Sequence, residues 1–480
     1  MLTTLPLRVL RARSLLTAPL INPRHYTPIP RLYSTTSSPH EDYDILIIGG
    51  GPAGLLLASA LRSSPLTSPL RLALLDSQPL TPTPPPTSGF SNRAVSLTPS
   101  SLRFLTQIGA TPHLDQSRTQ PYTSMRVTDG ISGAAITFSP ELLTTHNEIA
   151  TMCEVNNLTT ALHARITELG GVELIGSTKV QGIQHGIDEA ETDFSTWPVV
   201  HTDTGRRLRT RLLVGADGAN SPVRSFAGIE TRGWDYGQHA VVATLHLEPA
   251  AAKTAYQRFL PTGPIALLPM PGDYASLVWS TTPAHAASLK KLAPVDFVAM
   301  VNAALRLRAV DVDFMCHLST DVASEVAWRE SATPLPPNGP FVPRVVGVQD
   351  GSRAGFPLKM RHADTYHGER VALVGDAAHS MHPLAGQGLN LGIADVESLV
   401  GTVERAVGSG MDVGTVLALE GYTGERYWRN HVMLGVVDKL QKLYGTDAAA
   451  VVGVRSLGLG IVDRLEGLKG FIMREAAGRG

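Results

Sequence analysis

The sequence predicts an α/β protein in which a layer of strand–turn–helix units is interleaved with an antiparallel sheet and followed by a helical C-terminal region. Three observations predict it. Apolar strands run into Gly or Gly-Asp turns and then into helices at three separated places, 43–63, 212–228 and 371–403. Strand-like segments, HAVVATLHLE, RFLPTGPIALLPM and ASLVWS, crowd the stretch between the second and third. The chain has 480 residues, 43% hydrophobic and 17% charged, ordinary globular composition with room for roughly two to three domains.

The first 40 residues read as a mitochondrial transit peptide. Arg8, Arg11, Arg13, Arg24 and Arg31 stand among frequent Ser and Thr, and no acid precedes Glu41. Leu5, Leu7, Val9, Leu10, Leu15 and Leu16 can form one face of a cationic amphipathic helix. RLYSTTSS places a cut near Tyr33–Ser34. No apolar run reaches the ~18 residues of a spanning helix, so the chain is not expected to be integral to a membrane. A formal net charge of −1 carries no electrostatic footprint for nucleic acid. Cys153 and Cys316 form no C-x-x-C pair and read as two buried thiols in a reducing compartment.

YDILIIGGGPAGLLLASALRSS is the first unit. Tyr43 to Ile48 is a continuous apolar strand, and Gly49, Gly51 and Gly54 fit G-x-G-x-x-G before apolar residues at helical spacing. In a Rossmann-like dinucleotide site the first glycine makes the tight turn, the second admits a pyrophosphate to the backbone, and the third lets helix and strand pack closely. The helix N-terminus supplies free N–H groups for the phosphates. The next strand, LRLALLD, ends at Asp76, 22 residues after Gly54, where an acid suits a ribose hydroxyl pair. Residues 80–88 are a Pro-rich surface loop, and Arg93 precedes an amphipathic helix as a candidate cation beside the pyrophosphate.

In the second unit the strand Leu212 to Gly215 turns at Ala216-Asp217-Gly218-Ala219, and Ser221-Pro222 opens a helix carrying Arg224. In the third, Val371 to Val374 is a strand, Gly375-Asp376 turns it, and a helix runs from Leu389 with Leu391, Ile393, Val396, Leu399, Val400 and Val403 as its buried side. The third loop holds Asp376 and an H-x-x-H pair, His379 and His382. A zinc or iron site needs further ligands, and no matching cluster stands elsewhere in the sequence, so no metal is expected. The histidines read as structural residues of the loop.

GGGPAG, GADGANSPVR and GDAAHSMHPLAGQGLNLGIAD resemble, in order and spacing, the motifs of the class A flavin-dependent aromatic hydroxylases typified by p-hydroxybenzoate hydroxylase. SNRAVSLTPSS, the HPLAGQGLNLGIAD form of the third motif and the ending LEGLKGFIMREAAG are more similar to the ubiquinone-biosynthesis hydroxylases of that family. The resemblance covers about residues 42 to 478. It implies the p-hydroxybenzoate hydroxylase fold, with an FAD-binding domain at 41–125, 147–229 and 351–405. It implies a substrate domain at 126–146 and 230–350, and a helical region at 406–480.

The implied cofactor is FAD. Gly49, Gly51 and Gly54 would hold its pyrophosphate, Asp76 the adenosine ribose, and Arg93 the phosphate–ribityl region. Asp217 and Gly218 would line the cofactor channel and Asp376 would bond the ribityl chain. A helix opening at Gly388, Leu389 and Asn390 would aim free N–H groups at the flavin pyrimidine edge, where a helix N-terminus stabilises an anion by ~0.3–1 kcal/mol. Gly386, Gly388 and Gly392 would let backbone approach a flat ring. The backbone at Pro383 and Leu384 would sit where oxygen meets a phenol.

The implied reaction is hydroxylation at C5 of a polyprenyl-4-hydroxybenzoate-type intermediate through a flavin C4a-hydroperoxide. The alternatives are another phenolic substrate and a non-catalytic prenyl-escort protein. No second strand–G-x-G-x-x-G–helix unit exists for NAD(P)H, and the family implies electrons from a ferredoxin and its reductase. It further implies a ubiquinone-biosynthesis complex peripheral to the matrix side of the mitochondrial inner membrane. The tail 451–478 sets Arg455, Arg464, Lys469 and Arg474 among apolar residues and can rest on a membrane, on a partner or on the protein itself.

Overall fold

An apolar run without alternation belongs to a strand covered on both faces. Glu41–Ile48 is such a strand, and Ile45, Leu46 and Ile47 have no exposed surface. The computed structural model describes residues 40–83, 85–86, 88–139, 148–189, 192–248, 253–318, 321–332 and 342–464. The expected transit peptide and the tail beyond residue 464 lie outside them.

Glu41–Ile48 sits inside an eight-stranded sheet. Its parallel neighbours are Leu72–Leu75, followed by Val172–Ile175, and Arg207–Gly215, followed by Val371–Leu373. His367–Gly368, Pro198–Thr202 and Val180–His185 join antiparallel. The second motif's strand therefore begins at Arg207, five residues before the expected Leu212. Helices Pro52–Ser63, Val155–Leu169 and Gly388–Gly408 cover this sheet, with Leu56, Leu57, Leu162, Val396 and Leu399 in the shared core.

The second sheet has nine strands. In order they are His379–Ser380, Ala354–Ala363, Thr231–Glu248, Tyr274–Thr281, Gly263–Pro269, Thr254–Leu260, Ser124–Asp129 and Ala135–Phe138, with Arg344–Val348 also paired to Thr231–Glu248. All pairs are antiparallel except Thr254–Leu260 with Ser124–Asp129. This sheet starts at Ser124 and takes in Ala354–Ala363, past the boundaries at 126 and 350 read from the sequence. The long pairing of Ala354–Ala363 with Thr231–Val242 draws it there.

Alternation along Thr231–Glu248 separates two faces. Val241, Ala243, Leu245 and Leu247 pack with Phe297, Met300 and Val301. Gln238, Ala240, Val242 and Thr244 look the other way, and the Thr244 hydroxyl donates to the Phe90 carbonyl at 3.1 Å. Between the second and third motifs the sequence was read only for strands. The structure adds four helices there, Pro283–Lys291, Pro294–Arg306, Ala309–Met315 and Val322–Ala332, because the apolar outer face of the sheet needs cover. Val416–Tyr444 and Ala449–Arg464 complete the described chain.

Candidate active site

The strand registers bring the three motifs together. Ile48 is level with Gly215, and Gly215 with Leu373, so three parallel strands end side by side and their turns leave on one edge. The ladder continues into the turns. Gly49 N–H donates to the Leu75 carbonyl at 2.8 Å, Ala216 N–H to Ile48 at 2.7 Å, and Val374 N–H to Gly215 at 2.9 Å. Gly49 has φ +112°, and a Cβ on it would stand 2.3 Å from the Ala216 oxygen. A Cβ on Gly54 would stand 1.8 Å from the Gly49 oxygen. These two glycines close the turn against protein. Gly51 differs: among the described residues no atom beyond its own chain neighbours lies within 4 Å of its would-be Cβ, and no side chain caps the helix it opens.

The polar residues around this edge are only partly committed. Asp76 accepts from Gly50 N–H at 2.5 Å and Gln78 N–H at 2.6 Å, which ties the strand end to the glycine turn. The Arg93 side chain is exposed, while its carbonyl accepts from Val155 N–H. Asp217 accepts from Val223 N–H through one oxygen, and its other oxygen is buried without a partner among the described residues. Burial pushes its carboxyl up, against the pull of the Ser221 hydroxyl. Gly218 has φ +83° and open space beside it. Asp376 keeps a large accessible surface although burial by surrounding protein raises its carboxyl.

The third loop is shaped by its short-range turns. Pro383–Ala385 is a single helical turn, ended by Gly386 at φ +60°. Helix Gly388–Gly408 follows without a side-chain N-cap, and its first bond is Leu391 N–H to the Gln387 carbonyl. The amides of Gly388, Leu389 and Asn390 precede that bond, and the space at Gly388 is open. The Asn390 side chain is spent on protein. Its oxygen accepts from Thr98 N–H at 3.0 Å and the Ser101 hydroxyl at 2.7 Å, and its nitrogen donates to the Ser96 and Gly386 carbonyls. Only its backbone is left for a ligand. Gly392 is also corrected: it faces Gly375, whose Cα lies 3.3 Å from its would-be Cβ, so it serves helix packing and not a flat ring.

The two histidines are held apart. His379 Nε2 donates to Asp395 at 2.6 Å, both fully buried. Asp395 also accepts from Gly375 N–H, Arg426 Nε and Asn430 Nδ2. Asn430 donates to the Tyr366 hydroxyl, which lies 2.8 Å from His362. His382 Nε2 stands 3.2 Å from Gln238 Oε1. Among the described residues no group of three or more His, Cys, Asp or Glu could hold a metal ion. Asp395, Arg426, Asn430 and Gln238 were not singled out from the sequence. The signal was an acid inside the buried stretch Ile393–Val396, which must find partners in a dry interior.

Comparison with known proteins completes the picture. The FAD binding domain family matches residues 42–408. The mitochondrial ubiquinone biosynthesis monooxygenase COQ6 of Saccharomyces cerevisiae is 40% identical over 473 residues, 93% of this chain and 96% of that protein. The chain belongs to the ubiquinone biosynthesis monooxygenase family. The human member is 36% identical over 441 residues, 91% of this chain and 92% of that protein. The fold is shared more widely. p-Nitrophenol 4-monooxygenase PnpA of Pseudomonas putida superposes with a TM-score of 0.65 at 18% identity, covering 92% of this chain and 100% of that one. PqsL of Pseudomonas aeruginosa, a probable FAD-dependent monooxygenase, gives 0.63 at 22%, covering 86% and 99%.

The chain is thus an FAD-dependent monooxygenase of ubiquinone synthesis, as its family is. Its residues fit FAD on structural grounds of their own. Gly51, Gly218 and Gly388 leave open space at three places, Asp217 has a buried oxygen with no donor among the described residues, and no side chain caps the first turn of helix Gly388–Gly408.

Proposed function

We propose that this monooxygenase hydroxylates C5 of the aromatic ring of a polyprenyl-4-hydroxybenzoate-type intermediate. The observation that carries the reading is the meeting of three strand ends at one edge, with bare glycines and unspent carboxylates, in a chain 40% identical to a ubiquinone biosynthesis monooxygenase. When bound and reduced, FAD supplies the activation of O2 from which one oxygen atom goes to the ring.

The protein's part is binding, orientation and exclusion of water. Gly51 and the first turn of Pro52–Ser63 would take the pyrophosphate, with Arg93 as the neighbouring cation and Asp76 at the ribose. Gly49 and Gly54 support that turn by their own packing. Asp217, Gly218 and Asp376 would meet the chain between phosphate and flavin, each carboxylate as a hydrogen-bond acceptor. The amides of Gly388, Leu389 and Asn390 would face the flavin edge, with Gly386 keeping the approach clear. The turn at Pro383 and Leu384 would present the phenol.

Electrons would come from a ferredoxin and its reductase, as the family resemblance implies, with NAD(P)H taken transiently at the flavin as the alternative. The relatives' names place them in mitochondria, and we infer a peripheral position on the matrix side of the inner membrane within a biosynthetic complex. No helix among the described residues is long and apolar enough to cross a membrane. Cells lacking the gene should accumulate a prenylated precursor without the C5 oxygen, measured by quinone analysis. Normal ubiquinone in such cells would sink the proposal, and a colourless purified protein would favour an escort role.

A further inference from the structure

Helix Val416–Tyr444 mixes polar groups with Leu419, Tyr422, Leu434 and Val437 on its inner face and carries apolar groups on its outer one. Arg426, Asn430 and Asp438 are among its buried residues, while Leu417, Trp428, Val432, Val436 and Leu443 are exposed by 72, 66, 46, 48 and 38%. Most of the buried polar groups are accounted for, although one Asp438 oxygen is buried without a partner among the described residues. Arg426 and Asn430 hold Asp395, and Asp438 pairs with Lys442 at 2.9 Å. Among the described residues nothing covers the exposed apolar groups beyond the stacking of Trp428 on His431. At helical spacing Leu417, Gly421, Glu425, Trp428, Val432, Val436, Lys439 and Leu443 fall within an arc of about 100°, a stripe about 39 Å long. A stripe of this kind is a covered surface in the working protein.

We propose that a second copy of this chain covers it, through antiparallel pairing of the two helices about a two-fold axis at Val432. From Gly421 to Leu443 the stripe is complementary to itself about that axis. Glu425 and Lys439 lie seven residues either side of Val432, so each Glu425, one oxygen of which accepts from the Ser398 hydroxyl at 2.7 Å, comes level with the partner's Lys439 through its other oxygen. Gly421 and Leu443 lie eleven residues either side, so a large side chain stands opposite a bare Cα, twice. Trp428 and Val436 flank the axis at equal distance. This is the self-complementarity a two-fold interface demands. A bilayer surface gives no reason for an acid mid-stripe mirrored by a lysine. The apolar area continues beside the helix. Val454 and Leu457, exposed by 73 and 67%, sit on Ala449–Arg464, which Arg455 ties to the Leu443 carbonyl at 2.9 Å. Trp234 lies under Lys442 at 4.4 Å. That extension matters because a stable interface buries about 800 Å² per partner, more than one helix face supplies.

The inference is independent of the substrate. Sedimentation of the purified flavin-loaded protein without detergent should give twice the chain mass. Val432→Glu sets two carboxylates together on the axis, and Lys439→Glu sets each against Glu425. Like charges face to face cost several kcal/mol, so each variant should weaken the dimer at least ~100-fold. Flavin content should be unchanged, since both positions are exposed. Glu425→Lys combined with Lys439→Glu should restore the dimer. A monomeric parent protein, or a dimer indifferent to both single variants, would overturn the proposal. So would a monomer whose binding to phospholipid vesicles is lost with Val432→Glu, because the stripe would then face a bilayer.

Discussion

Two glycines of one motif do different work. Gly49 sits in a left-handed conformation against the Ala216 oxygen, so its lack of a side chain serves the fold. Gly51 has extended backbone and empty space, so its lack of a side chain serves a ligand. The two substitutions should therefore fail differently. Gly49→Ala should prevent accumulation of folded protein, because strain at positive φ adds to a backbone clash. Gly51→Val should give folded protein with no bound flavin, read from the absorbance spectrum beside a circular dichroism trace. Retained stoichiometric flavin would refute the pyrophosphate placement. The sequence alone identified both glycines but could not separate them, since the difference lies in the Ala216 backbone packed against one of them.

The third motif is a loop and helix held from behind by Val416–Tyr444. Asp395 is the joint, taking His379, Gly375 N–H, Arg426 and Asn430. Burial alone would push its carboxyl up, but His379 and Arg426 hold it down at about 2. Removing this one partner strands Arg426 in a dry interior. Asp395→Ala should cost about 3–5 kcal/mol of stability, measured by chemical denaturation, and should loosen flavin retention through the Gly375 turn. A variant as stable as the parent would remove Asp395 from this role. Asn390 is a similar clamp on the other side, binding Ser96, Thr98 and Ser101. It ties SNRAVSLTPSS to GQGLN across almost 300 residues of chain, a relation invisible at the level of local pattern.

Acid should unfold the molecule through its buried histidines. Burial pushes His362 and His382 down to about 4, with nearby His379 and His431 adding to the effect at His362. An unfolded histidine titrates near 6.5, so the unfolded chain binds more protons between these values. Their stabilising contribution is complete above about 6.5 and is lost as pH falls toward 4. The melting temperature should be level above about pH 7 and fall below it, with His362 and His382 each contributing about one proton to the uptake on unfolding and His40, His285 and His367, also held down by burial, adding to it. His382→Gln should reduce that uptake by about one proton, and an unchanged pH profile would contradict its burial as a neutral ring. Asp395 acts lower, with its contribution present above about 4 and lost toward 2.

The sequence by itself determined the three strand–turn–helix units, their glycines and Asp76, Asp217 and Asp376, because turn geometry and strand burial are written in short stretches of chain. It also determined the family, through motifs whose order and spacing are specific in combination. Tertiary structure alone decided which groups were already taken. The sequence reads His379 as structural but cannot name its partner, Asp395, and it offers Asn390 and Gly392 to the ligand although the Asn390 side chain is taken by Ser101 and Gly392 packs on Gly375. The same holds for helix Val416–Tyr444. Its apolar and polar residues show no clean period because its inner face answers to buried charge and its outer face to something beyond the single chain.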